Sequence, residues 1–511
     1  MKKILLFFLV LIIASCAKDD VQIDAAFEPQ IVQYDRSQIN NFISQKTSKG
    51  KVFDWSSAEP TMIHSAAMLS DSIMAIGYQV TDAEPAETFI GKEQKLSDEW
   101  LDQRNQTLLY ILQEERKARN NPQLQMDDLL PFELDDAIPT LAIQMTSRAA
   151  IETLSNDNTI RYIEPMGYEY TTAAQKSGSG CGSAPDYSIN TNDYVVSSSF
   201  NAKIPWNFYN HNIPDAWDHS TGDNIGICII DTGASDNQNN LGSQFASGNS
   251  GGRYISKKST KYSGTWWWKS KDSPHDQCGH GTSMAGLAAA PWSTDGNALG
   301  VAYKANLITV RAVEDVIISS SNEKNGVKDA LKLAGNRSDV KIASMSIGNI
   351  ISSGTVKDGV YYAYNRGKLL LAAAGTSTSF TNWVGVIFPA SMNQTTAITG
   401  VKAQSSYSRC NTCHSGSKVD FTIQMQRSYD SGRNSLALAL TGNQPDYISG
   451  SSCATATTAG IAALVWATNP SMSRSQVVNR LKVASQKYPN RSSSYGWGNI
   501  NAKAAVLGQS Y

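Results

Sequence analysis

Three short segments carry side chains whose types and order can support acyl-transfer chemistry. Near the C-terminus, Ser452 lies in Ile448-Ser449-Gly450-Ser451-Ser452-Cys453-Ala454-Thr455, ahead of the apolar helical run Ala459 to Trp466. A glycine-framed serine at a helix mouth exposes its hydroxyl, and the N–H groups of the helix start face any oxyanion formed there. Alone, such a turn is also an ordinary helix cap. Two further segments occur upstream. Asp231-Thr232-Gly233 follows the continuous apolar run Ile225 to Ile230, and Gly279-His280-Gly281-Thr282-Ser283 opens a helix-like run from Met284 to Ala290. A lone histidine beside a helix start is ordinarily structural, and an aspartate after a strand is ordinarily a turn residue. Acid, histidine and serine in this order form a serine-hydrolase triad. Ser452 would attack a carbonyl, His280 would take its proton and pass it to the leaving amine, and Asp231 would hold the imidazole in the right tautomer. Ala454 stands where a Gly-x-Ser-x-Gly motif needs its last glycine, which argues against a lipase or esterase elbow.

The surrounding pattern is that of a scaffold able to bring these distant residues together. Strands are expected at Ile225–Ile230, Leu307–Val313, Ile342–Ser346, Leu369–Ala373 and Ala397–Val401. Helices are expected at Ser283–Ala289, Gly326–Ala334, Lys357–Asn365, Ala454–Ala467 and Ser475–Ala484. Alternating apolar runs and helices predict an α/β fold, a mostly parallel sheet covered on both faces. Sites in such sheets lie at the carboxyl ends of strands, where Asp231 falls. Upstream, Leu141 to Met145, Ser147 to Leu154 and Ile160 to Pro165 read as strand, helix and strand. Ser97 to Asn120 reads as a charged helix in which Trp100, Leu101, Leu108, Ile111 and Leu112 share a face. The small-residue stretch Thr171 to Gly180 marks a linker between two globular parts. No repeat of 20–50 residues is evident.

Composition narrows the function class. The 511 residues carry a net charge of −1 with no basic block, so nucleic acid is not an expected partner. Lys2 and Lys3 precede an apolar stretch from Ile4 to Ala14, too short to span a bilayer and suited to a secretory signal, residues 1–15. Ile13-Ala14-Ser15-Cys16 looks like a bacterial lipobox, with Cys16 acylated as the mature N-terminus and anchoring the protein to a membrane. Lys18-Asp19-Asp20 resembles the signal that sends some Gram-negative lipoproteins to the cell surface, so an outer-membrane or surface location is expected. Six cysteines remain beyond Cys16. Cys410-Asn411-Thr412-Cys413-His414 is better read as a loop-closing disulfide than as a zinc site, because no second pair accompanies it. Cys228 and Cys453 read as core thiols, and Cys181 and Cys278 are able to pair.

The ordered blocks around Asp231, His280 and Ser452 resemble those of subtilisin-like serine proteases, from about Ile204 to Ala505. Further matches are Ile342 to Gly348, Leu371 to Gly375 and Gly496 to Asn501. The resemblance implies a three-layer fold at 188–511, a propeptide at 16–170 whose C-terminal part (138–170) plugs the site, and self-processing in the seam 171–187. It implies a serine endopeptidase that forms an acyl-enzyme, acts on proteins or peptides and needs no cofactor for catalysis. The role of 25–137 stays open. Ser346, Gly348, Ala374 and Gly375 would border the substrate groove, which takes an extended peptide as an added strand. The family can hold structural calcium, but no acidic cluster stands out, Asp236 being followed only by amides, Asn237 to Asn240. Tyr262 to Trp268, with three tryptophans, reads as a packing insertion or an apolar rim. Ser451 and Ala456 replace a usual threonine and proline. The oxyanion-hole asparagine is absent, since Ala373-Ala374-Gly375 leads to Thr376. Losing such a donor costs roughly 10²–10³ in turnover. Thr376, or Asn382 from the following loop, would stand in. This departure leaves a second reading, a catalytically impaired surface binding protein on the same fold.

Overall fold

The computed structural model describes residues 32–48, 50–170, 181–264, 270–376, 385–404 and 406–511. The signal, Cys16, the tryptophans 266–268 and Asn382 lie outside the described residues. Among the described residues, no helix is long and apolar enough to cross a membrane.

The chain first builds a three-stranded antiparallel sheet from β1 (Ile73–Tyr78), β2 (Thr140–Gln144) and β3 (Ile160–Pro165), in the order β2-β1-β3. The expected strand–helix–strand ending is present, with α4 (Arg148–Ser155) between β2 and β3. Its central strand, β1, comes from the region whose role the sequence left open. That region also supplies α1 (Arg36–Thr47), α2 (Pro60–Met68) and α3 (Asp98–Ala118). Their apolar faces, including Ile39, Ile43, Ile63, Leu108 and Ile111, close one core with Ile76, Ile143 and Ile151. The extra residues therefore complete this domain's core.

The second sheet holds seven parallel strands: β4 (Gly226–Asp231), β5 (Ile255–Ser259), β6 (Asn306–Arg311), β7 (Val340–Met345), β8 (Leu369–Ala373), β9 (Thr396–Ala403) and β10 (Val419–Arg427). Their order is β10-β9-β8-β7-β4-β6-β5. β4 explains the layers. Ile227 and Ile229 face the core built with α5 (His280–Ala289) and α8 (Ser451–Ala467), while Cys228 and Ile230 face α6 (Ser321–Asn336) and α7 (Gly354–Asn365). A strand buried on both faces reads as an unbroken apolar run. Successive strands depart to opposite sides of β4, so Asp231 ends at a switch in strand order, where sites of such sheets form.

α6 and α7 also carry the N-terminal domain. Arg161 makes a bidentate bond to Asp358 at 2.8 and 2.7 Å, and Tyr162 donates to the same carboxylate at 2.8 Å. Glu164 accepts from Gly354 N at 2.7 Å, capping α7, and from Ser353 Oγ at 3.1 Å. Asp135 pairs with Lys332 at 2.6 Å and Lys328 at 3.3 Å, and Asp54 pairs with Lys357. A Cβ at Gly354 would come within 2.5 Å of the Tyr162 ring, so the ring packs directly on the backbone at the start of α7.

Candidate active site

Asp231 closes β4 and is fully buried. Its Oδ1 accepts from His280 Nδ1 at 2.7 Å and from Thr232 N at 2.8 Å. That bond places the Nδ1 proton and leaves Nε2 facing outward as an acceptor. Burial pulls the imidazole towards the neutral form, but the charge and hydrogen bond of Asp231, with Asp276 and Asp315 adding, hold its pKa above the ordinary value.

The helix carrying His280 starts three residues earlier than its apolar pattern suggested, and the cause is a carboxylate the sequence reading passed over. Asp276 is fully buried. Its Oδ1 accepts from Cys278 N (2.9 Å), Gly279 N (2.8 Å) and Thr232 Oγ1 (2.9 Å). Its Oδ2 accepts from Thr282 N (2.9 Å) and Thr282 Oγ1 (2.7 Å). Thr232 Oγ1 in turn accepts from Gly281 N at 2.8 Å, and Thr282 Oγ1 from Ser235 N at 2.9 Å. One acid therefore collects the free donors of the helix start and ties them to the loop after Asp231. Gly279 turns the chain at φ +95°, a conformation that favours glycine. An acid four residues ahead of a Gly-His helix start was the available signal.

Ser452 lies in the first turn of α8, after Gly450 at φ +101°. It lines one cleft of about 350 Å³ together with His280, Ser346, Gly348, Gly375 and Thr376. The Ser452 hydroxyl donates to Ser346 O at 3.3 Å, and Ser346 Oγ donates to Ser452 O at 3.0 Å. The structure thus joins Asp231 to His280 directly and sets Ser452 in the same cleft with its hydroxyl turned to β7. The first N–H groups of α8 lack intrahelical acceptors and complement a negative charge at this end.

The remaining expected residues divide. Thr376 is exposed and lines the cleft, and a Cβ on Gly450 would meet its Oγ1 at 3.0 Å, so the hydroxyl lies beside the serine turn. Behind it, the Cys410–Cys413 disulfide closes a turn in which Cys413 bridges Thr376, and His414 N donates to Gly375 O at 3.0 Å. The His414 ring donates to Gly385 O at 2.6 Å, and burial pushes its pKa down to about 4. Ala374 is set back from the cleft, with its N–H on Ile398 O and its carbonyl on Ile387 N. The groove expected along Ser346 to Gly348 is closed at Gly348. Its N–H donates to Val316 O at 3.0 Å and its carbonyl accepts from Ile318 N at 3.1 Å, so a substrate strand must displace 316–318. Asp236 pairs with Lys257 at 3.0 Å, and no group of three or more potential metal ligands occurs among the described residues. Cys181 pairs with Cys278, two residues before His280, and Cys228 and Cys453 are buried thiols.

The subtilase family model matches residues 222–498, over half of the chain. Among curated proteins, M-protease of Shouchella clausii (strain KSM-K16) is 28% identical over 378 residues, 73% of this chain and 80% of that protein. Thermitase of Thermoactinomyces vulgaris is 26% identical over 294 residues, 57% of this chain and 92% of its own. Among solved structures, fervidolysin of Fervidobacterium pennivorans, a keratinolytic enzyme related to subtilisin, superposes with a TM-score of 0.58 at 15% identity. The match covers 86% of this chain and 61% of fervidolysin, and shows a shared fold.

Proposed function

Since the chain belongs to the subtilase family and is a serine-type endopeptidase, we propose that Asp231, His280 and Ser452 carry its reaction. The carrying observation is the 2.7 Å Asp231–His280 bond beside the cleft that Ser452 lines. Rotation of the Ser452 hydroxyl away from Ser346 O towards His280 Nε2 sets up attack, and such bonds tighten when substrate binds. His280 takes the hydroxyl proton as Oγ bonds to the substrate carbonyl carbon. The tetrahedral oxyanion is met by the N–H groups at the start of α8 and by the Thr376 hydroxyl, with Asn382 a second candidate donor. The imidazolium then protonates the departing amine, and water, activated by the same imidazole, releases the acyl group from Ser452.

Residues 16–170 act as a propeptide, of which 32–170 dock on α6 and α7, and the chain cuts itself in the segment 171–187, on the N-terminal side of Cys181. The linker composition of 171–180 supports this, as does the charged character of the seam, which suits a contact that must later part. Export with acylation of Cys16 completes the reading, on the sequence pattern alone. Refolding of the purified full-length chain tests the processing step. Wild type should yield a C-terminal fragment beginning at or before Cys181, and Ser452→Ala should stay intact. A Ser452→Ala chain that matures alone would refute self-cleavage. Failure of both to mature would favour the surface-binding reading raised by Thr376.

A further inference from the structure

The stretch from Cys181 to Asp193 is fastened beside the active site at both ends. At one end the Cys181–Cys278 disulfide joins it to the loop two residues before His280, and Gly182 N donates to Cys278 O at 2.8 Å. Ser283 Oγ donates to Ser183 Oγ at 3.3 Å, Ala184 N to Asp446 Oδ2 at 3.2 Å, and Asp186 N to Pro445 O at 3.0 Å. At the other end Asp193 is fully buried and accepts from Arg433 at 2.6 and 2.7 Å, from Arg427 at 3.0 Å and from Tyr447 Oη at 2.5 Å. Between these anchors Asn190 N donates to Tyr447 Oη at 3.1 Å. Cys181, Gly182 and Ser183 line the same cleft as His280 and Ser452.

The triad proposed above bears on which end of the cleft this is. The acyl half of a substrate lies towards Thr376 and β7, and the leaving amine must lie against the imidazole that protonates it. Cys278 precedes His280 by two residues, a span of at most about 7 Å. A segment bonded to Cys278 therefore stands beside His280, within reach of the leaving group that the imidazole would protonate.

We propose that Cys181-Gly182-Ser183, held by its disulfide to Cys278, is the end wall of the leaving-group side of the cleft and sets substrate preference by length. Peptides with one or two residues beyond the scissile bond fit beneath it, and longer ones must climb over it. Among peptide substrates the endopeptidase then cuts faster where one or two residues follow the scissile bond than where many do; in the self-cleavage proposed above Cys181 to Ser183 are themselves the leaving segment. The proposal rests on the triad assigned above.

The test is a fluorogenic peptide series with a common acyl half and leaving segments of one, two, four and eight residues, assayed with mature enzyme whose disulfide is verified by mass. Native enzyme should show kcat/KM at least about 10-fold lower for eight leaving residues than for two. In Cys181→Ser, and independently in Cys278→Ser, that ratio should fall towards one. The ratio is the readout because a variant that is merely less active leaves it unchanged. Equal kcat/KM across the series with the native enzyme overturns the wall, and so does an unchanged ratio in a verified Cys181→Ser. Should both variants fail to fold, the native series decides. Loss of all cleavage, the shortest substrate included, by the native enzyme would instead count against the triad.

Discussion

The polar knot around Asp276 and the charged seam under the N-terminal domain solve opposite problems with the same side chain, a carboxylate that is buried at the knot and buried or half-buried at the seam. At the knot, five donors from four residues converge on Asp276 without a cation, and all but Thr232 come from the next six residues of chain. At the seam, Asp358, Asp135 and Asp54 each pair with a cation from the other part, across about two hundred or more residues. Neutral donors already fixed by a helix start position a group without any partner that can leave. Ion pairs across a seam keep two bodies together only while both stay. The first arrangement suits the catalytic role proposed for His280, which needs it held still, and the second suits the release proposed for the N-terminal domain.

The largest way to break the comparison is at the reacting group itself. Ser452→Ala should lower kcat by roughly 10⁶, the scale for a triad nucleophile, in a chromogenic peptide assay. Asp276→Ala strands the donors of the His280 helix. Turnover should fall by about 100-fold through misplacement of the imidazole, accompanied by a lower melting temperature. Arg161→Ala leaves the Asp358 carboxylate buried without its cation. After cleavage, docking of the N-terminal domain should weaken by about 3 kcal/mol, about 100-fold in Kd by calorimetry, with kcat of the released enzyme unchanged.

Two smaller effects depend on pH. As the proposed base His280 works only when neutral, and the charge of Asp231 holds its pKa above the ordinary 6.5, so kcat/KM should rise along an acidic limb centred above pH 6.5. Asp231→Asn removes the charge that raises it, so the limb should move down while activity drops. At the seam, burial pushes the Glu164 carboxyl up to about 7, against the lowering effect of Lys324 and Lys357. Its contribution to docking is full below pH 4.5 and is lost as pH climbs through about 7. Asp54 and Asp135 are held below their ordinary range by the lysines that offset their burial, and they contribute above pH 3.8 until acid neutralises them. The domain should bind about 10-fold more tightly at pH 5.5 than at pH 8, and Glu164→Gln should flatten that difference.

Much of this was legible in the sequence where one face or one spacing dominates. The unbroken run from Ile225 to Ile230 marks β4 because both its faces are buried, and its end locates Asp231. Helix starts were less legible because caps rather than periodicity set them. Ser320 and Glu323 form a capping box that starts α6 at Ser321, five residues before the apolar pattern begins. The edge strand β5, Ile-Ser-Lys-Lys-Ser, has no apolar signature because it is only partly covered. At the site, Asp231, His280 and Ser452 are the types that chemistry demands, whereas Asp276 acts through backbone N–H groups and the hydroxyls of Thr232 and Thr282, a convergence that no composition pattern displays. The pairing of Gly348 with 316–318, and the fastening of Cys181 to Cys278, are contacts between distant segments and follow only from the assembled fold.

The most direct measurement is labelling of the mature enzyme with a fluorophosphonate, followed by peptide mapping of the adduct. The account predicts a single stoichiometric adduct on Ser452, lost in Ser452→Ala and strongly slowed in His280→Ala. Folded, mature protein that takes up no label, or takes it up at another serine, would contradict it.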